Sequence, residues 1–255
     1  MVIIKTSHEI EQIKKSCVLT ANTIKFVAEK IKPGVKTRSL DQMAESFIIK
    51  HGGKPSFKGY GLPGNEFPAS ICVSINDEIV HGIPGDRLLQ EGDIVGIDIG
   101  TNLNGYFGDS AVTVGVGKIS KIAQKLIETT KESLFAGIKA AISGNYIGDI
   151  SNAIQSTAER NHFSVVREFV GHGVGLKVHE DPQIPNYGRS KTGLRLEKGM
   201  VLALEPMVNE GDYHTIYGQD GWTVKTADGK LSAHFEHSIA ITMEGNEILT
   251  LAGES

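Results

Sequence analysis

Leu89-Gln90-Glu91-Gly92-Asp93-Ile94-Val95-Gly96-Ile97-Asp98 and Leu196-Glu197-Lys198-Gly199-Met200-Val201-Leu202-Ala203-Leu204-Glu205 are two versions of one pattern. Each starts on leucine, places a glycine three residues later, and runs through apolar residues to an acid. Two more matches keep the same order. Val80-His81-x-x-Pro84 returns as Val178-His179-x-x-Pro182. Asp109, followed by Ala111-Val112-Thr113-Val114, returns as Glu236, followed by Ser238-Ile239-Ala240-Ile241. Chance can produce one such match; three in order, each carrying an acid or a histidine, indicate an internal repeat. A period of about 100 residues is too long for a solenoid. It points to a duplicated unit of two helices plus strands. The expectation is one domain over residues 1–255 of α/β (α+β) class, with two pseudo-symmetric halves at 1–117 and 118–250. A site built from both halves would lie at their junction.

The periodicity around these segments agrees. Thr6-x-x-Glu9 is a candidate capping box, and Ile10, Ile13, Cys17, Ile24, Val27 and Ile31 recur near helical period until Pro33-Gly34. A second helix is expected from Ser39 to Gly52. Strands are expected over 71–80, 93–99 and 109–116. The second half repeats this with helices over 119–142 and 150–158, then strands over 166–170, 200–207 and 235–242.

With 255 residues and 40% hydrophobic content the chain can bury a sizeable core. The formal net charge of -4 argues against a general DNA or RNA binder, although a local basic patch touching ribosomal RNA is compatible with it. Cys17 and Cys72 form no Cys-x-x-Cys pair, and two cysteines give no disulfide framework. A reducing cytoplasm is the natural compartment. No signal-peptide core and no membrane-spanning apolar run are present in the sequence, so no membrane partner is expected.

Four acids then need an explanation. Asp98, Asp109, Glu205 and Glu236 sit in strands otherwise fit for burial, and an isolated buried carboxylate is costly. Any one of them alone reads more readily as a turn acid or a satisfied ion pair. Four at repeat-related positions call for a common counter-charge, which two divalent cations supply. His172 lies in Gly171-His172-Gly173-Val174-Gly175, where flanking glycines permit close backbone approach. That spacing fits neither dinucleotide nor phosphate loops, and no His-Glu-x-x-His is present to mark a single-zinc protease. Oxygen-rich ligation with one imidazole suits manganese, iron, cobalt or zinc. Paired ions of this kind serve hydrolysis.

Taken together, Val80-His81-Gly82-Ile83-Pro84, Asp98-Ile99-Gly100, Gly108-Asp109, Gly171-His172-Gly173-Val174-Gly175, His179-Glu180, Leu204-Glu205-Pro206 and Phe235-Glu236-His237 resemble the type I methionine aminopeptidases of peptidase family M24. The resemblance runs from the first helix to Thr250 and implies the pita-bread fold in its compact bacterial-type form. It implies a cytoplasmic, monomeric metalloaminopeptidase that removes N-terminal methionine when the second residue is small and uncharged. Nascent chains are the implied partners, together with the ribosome surface. The implied metal ligands are Asp98, Asp109, His172, Glu205 and Glu236, with Asp109 and Glu236 bridging two ions. Glu205 is the implied proton shuttle. His179 is implied to stabilise the developing oxyanion, and His81 to contact the substrate near the scissile nitrogen.

The methionine pocket departs from the family pattern. The loop from Phe57 to Pro68 is a few residues longer between Tyr60 and Phe67, and Val178 stands where an aromatic is often found. Tyr60, Phe67, Cys72 and Trp222 are the candidate pocket walls, with ordinary core packing as the competing reading of the aromatics. Two alternatives share the fold: an Xaa-Pro aminopeptidase or dipeptidase, and a binding protein without catalysis. The first usually carries an extra N-terminal domain, and the second loses ligand residues, whereas all five are present here.

Overall fold

The computed structural model describes residues 2–253. Its four helices are α1 (Ser7–Ala28), α2 (Thr37–Lys50), α3 (Lys121–Ala140) and α4 (Ile147–Arg160). The main sheet has nine strands: β1 (Lys54–Pro55), β2 (Cys72–Ile75), β3 (Ile94–Leu103), β4 (Tyr106–Gly115), β5 (Gly171–Gly173), β6 (Glu180–Ile184), β7 (Val201–Leu204), β8 (Glu236–Ile241) and β9 (Asn246–Ile248). All pairings are antiparallel, in the order β1-β3-β4-β8-β7-β5-β6, with β2 also on β3 and β9 on β8. Within this order, β2-β3-β4 of the first half meets β8-β7-β5 of the second at the β4–β8 pair. The strand order thus reads alike from either side of that seam.

Local chemistry sets these elements. Thr6 and Glu9 form the reciprocal capping box that starts α1. Asn104 and Gly105 link β3 to β4 with φ of 54° and 87°, as a two-residue type I′ hairpin requires. That turn fixes a ten-pair register in which Asp98 faces Ala111 and Gly100 faces Asp109. Alternation then sends Val95, Ile97 and Ile99 into a core with Leu19, Ile24 and Val27 of α1 and Leu40 and Ile48 of α2. In the second half Leu202, Leu204, Ile239 and Ile241 pack with Leu126, Leu134, Ile150 and Ile154 of α3 and α4. The acids at 98, 109 and 236 lie on the opposite face of their strands.

Three expected strands differ in detail. The expected strand over 166–170 is a connection instead, because the chain must pass from Ser164–Val165, paired to Val208 and Asn209 in a smaller sheet, into β5 of the main sheet. The strand expected over 71–80 breaks at Asn76, which turns with φ of 59°. The strand expected over 200–207 breaks after Leu204, where Pro206 has no N–H for a ladder.

Candidate metal centre

Asp98 stands mid-strand in β3, Asp109 in β4, His172 in β5 and Glu236 at the start of β8, while Glu205 follows the last residue of β7. Glu236 lies opposite Ala111, so Asp109 and Glu236 are diagonal neighbours on one face of the seam, with a small side chain leaving them room. Donor atoms of Asp98, Asp109 and Glu236 all fall within 4.8 Å of one another, as do those of His172, Glu205 and Glu236. Asp109, His172 and His179 form a third such group. Glu236 therefore belongs to two clusters and Asp109 joins Asp98 to His172. Sequence reasoning named these five residues, and the fold brings all five together.

The flanking glycines of His172 have a specific cause. A Cβ on Gly171 would stand 2.5 Å from the Ala203 carbonyl, and one on Gly173 would stand 2.2 Å from the Asp181 carbonyl. Only glycine lets β5 sit this close to both neighbours. His172 faces Ala203 across the β5–β7 pair, and Ser74 faces Gly96 across β2–β3. Ala203 and Gly96 are repeat equivalents, so Ser74 occupies the position matching His172. The repeat is broken there, and one half alone supplies an imidazole.

The electrostatics show what the cluster lacks. Asp109 and Glu236 are each 2% exposed. Asp98 Oδ1, Asp109 Oδ1 and Glu236 Oε1 are buried without a hydrogen-bond partner. Burial raises the pKa of Asp98, Asp109, Glu205 and Glu236 above the ordinary carboxylate range, and neighbouring carboxylates push Asp109 and Glu236 further. Three buried carboxylate oxygens with no partner, converging from three neighbouring strands, fit a divalent cation site. His172 is matched to it. Burial lowers its pKa to about 3, so the ring is neutral. Its Nδ1 lies 2.9 Å from the Gly173 carbonyl, which can only accept, so Nδ1 carries the proton. Nε2 is left with its lone pair, 3.3 Å from Glu205 Oε1.

The two repeat-related histidines lie above this floor. His179 stands at the cleft mouth, its Nδ1 2.8 Å from the Tyr60 hydroxyl and its ring 4.4 Å from that of His172. Burial on its inner side lowers its pKa. His81 has φ of 60°, a conformation unusual for a side chain with a Cβ. Burial, then the neighbouring His179 and His234, lowers its pKa to about 4. Tyr60, Phe67, Cys72 and Trp222 line one cavity of about 130 Å³ together with Phe57 and all five clustered residues. That cavity adjoins an open cleft of about 620 Å³ bordered by Phe169, Lys177 and Gln183. Val178 is buried against Phe57, Phe67 and Cys72. The extra residues between Tyr60 and Phe67 form an exposed hairpin, Gly61–Leu62 with Asn65–Glu66.

Two neighbours escaped sequence reasoning. His234 is buried, with Nε2 3.6 Å from Glu205 Oε2. It lies two residues before Glu236, so strand alternation counted back from that acid would have found it. Asn186 is buried in a connection and donates to the Glu205 carbonyl at 3.0 Å. No periodic signal marks it.

The chain resembles known proteins over nearly all of its length. The model of Metallopeptidase family M24 matches residues 11–243. The methionine aminopeptidase of Clostridium perfringens is 54% identical over 252 residues, covering 98% of this chain and 99% of the relative. Methionine aminopeptidase 1 of Bacillus subtilis is 54% identical over 250 residues, with 98% and 99% covered. The crystal structure of methionine aminopeptidase from Rickettsia prowazekii superposes with a TM-score of 0.95 at 43% identity, covering 98% of this chain and 100% of that one. The chain belongs to metallopeptidase family M24 and, within it, to the methionine aminopeptidases. Its architecture is the pita-bread fold of that family, and membership implies use of a divalent metal.

Proposed function

We propose that the whole chain acts as one catalytic domain that removes N-terminal methionine when the next residue is small and uncharged. The observation that carries this is one cavity lined both by the cation-demanding acid cluster and by the apolar walls Phe57, Phe67, Cys72 and Trp222. The cavity takes the methionine side chain between Phe67, Cys72 and Trp222, and the acid floor receives the free α-amine. An internal residue has no such amine, which limits cleavage to the chain's end. The proline-specific alternative is not favoured, since the relatives matched at 54% identity are named methionine aminopeptidases.

Asp98, Asp109, His172, Glu205 and Glu236 would hold two divalent ions, with cobalt, manganese, iron and zinc all compatible with this donor set. When bound, such ions acidify water and polarise the scissile carbonyl. Glu205 accepts the proton of the attacking water and delivers it to the leaving amine. His179, oriented by the Tyr60 hydroxyl, donates to the carbonyl oxygen as negative charge develops. His81, neutral at pH 7, contacts the peptide near the scissile nitrogen without adding charge. The enzyme is proposed to work as a cytoplasmic monomer on chains emerging at the ribosome surface, without binding DNA. Among the described residues no helix is long and apolar enough to cross a membrane.

The test is a peptide assay on protein loaded separately with each metal. Release of methionine from Met-Gly-Met but not from Met-Lys-Met supports the assignment. Equal cleavage of both removes the selectivity, and cleavage of Ala-Pro peptides alone moves the chain to the proline-specific relatives.

A further inference from the structure

Hydroxyl groups hold the seam between the halves, next to Asp109 and Glu236, the two acids that each belong to two donor clusters and so can reach both ions. β4 and β8 are in register at Ala111 with Glu236 and at Ser110 with His237. One step further in that register, Ser238 faces Asp109. Its Oγ accepts the Asp109 N–H at 3.3 Å and donates to the Asp109 carbonyl at 2.7 Å. At the other end Thr113 faces His234 and does the same, accepting its N–H and donating to its carbonyl, both at 2.9 Å. Between them Ser110 Oγ donates to the Glu236 carbonyl at 2.7 Å. All three hydroxyls belong to buried residues.

An inserted hydroxyl stands where a continued ladder would exchange N–H and C=O groups directly. The two strands are therefore spaced by an oxygen atom beside Asp109. Asp109 and Glu236 project from the same face of this seam, so strand spacing sets how far apart their carboxylates lie. We propose that Ser238 and Ser110 are positioning residues for the bridging pair. Ser238 grips the main chain of Asp109 from the opposite half, and Ser110 grips that of Glu236. Each half thus fixes the acid of the other, at the separation where both carboxylates can reach both ions. This rests on the two-ion reading above. A hydroxyl that only satisfied buried backbone groups would contribute to stability and leave metal binding alone.

The test uses the full chain, titrated with Mn²⁺ by calorimetry and followed by electron paramagnetic resonance. Wild type should bind two ions with an exchange-coupled spectrum. In S238A and in S110A the second ion should bind about tenfold or more weakly, the loss typical when a group orienting a ligand is removed. At two equivalents of Mn²⁺ these variants should show the spectrum of isolated ions. A lower Tm with unchanged second-ion affinity and an unchanged coupled spectrum would overturn the proposal. If S238A does not fold, S110A decides by the same two readouts. Wild type binding a single ion would instead remove the two-ion reading, and this inference with it.

Discussion

Replacing Lys5 by methionine removes a charge from beneath the active-site loop while keeping most of the side chain's length. Lys5 Nζ lies 2.6 Å from Glu180 Oε2, and the two side chains are 1% and 2% exposed. The other carboxylate oxygen accepts the N–H groups of Leu176 and Lys177 at 2.6 and 2.9 Å. Glu180 therefore shapes the turn that leads into His179. Desolvating two charges is expensive, and their attraction roughly repays it while both are present. With one partner gone, the other is buried and uncompensated, at a cost of about 3–5 kcal/mol. In a chain of this length each kcal/mol shifts Tm by about 2–4 °C, so K5M should melt roughly 6–20 °C lower. Urea and thermal unfolding of the metal-free protein at pH 7 read this directly. The double variant K5M/E180Q removes both charges and keeps an oxygen for the Leu176 and Lys177 amides, so it should regain a good part of the loss. A K5M loss under about 1 kcal/mol, or a double variant no more stable than the single, would refute the reasoning.

Two further outcomes follow from the same site. His179→Ala should lower kcat by about 10²–10³-fold with little change in KM, since the lost donor acts as charge develops; full kcat would end the oxyanion role. In the metal-free protein, burial raises the folded-state pKa of Asp98, Asp109, Glu205 and Glu236. The unfolded chain ionises these groups near pH 4, so between that pH and the raised folded values the folded state binds more protons. Stability of the metal-free protein should therefore fall as pH rises from about 5 to 8, and added Mn²⁺ should raise Tm most at the upper end. A metal-free stability that is flat or rises over this range would contradict the buried-acid account.

Most of the site was legible because the repeat gave position as well as type. Asp98 and Glu205 end matching apolar runs, and in the structure each shares a donor cluster with Glu236. Alternation correctly sent Val95, Ile97 and Ile99 into the core and left Asp98 on the other face. What the repeat could not give was its own exception: nothing in the sequence says that Ser74 matches His172 until strand register aligns them. Asn186 was missed because its role depends on a contact with Glu205 across the fold, which no local period reports, whereas His234 lay within reach of strand alternation counted back from Glu236. The strand over 166–170 failed for a related reason. Apolar residues there cross between two sheets, and periodicity cannot tell a crossing from a strand.

The central claim is that five side chains from both halves enclose a pair of divalent ions. Anomalous diffraction from crystals of the Mn²⁺-loaded protein measures this most directly. Two peaks are expected, both within bonding distance of Asp109 and Glu236, with Asp98 at one and His172 with Glu205 at the other. A single peak at saturating Mn²⁺, or a pair of peaks that Asp109 and Glu236 do not share, would contradict it.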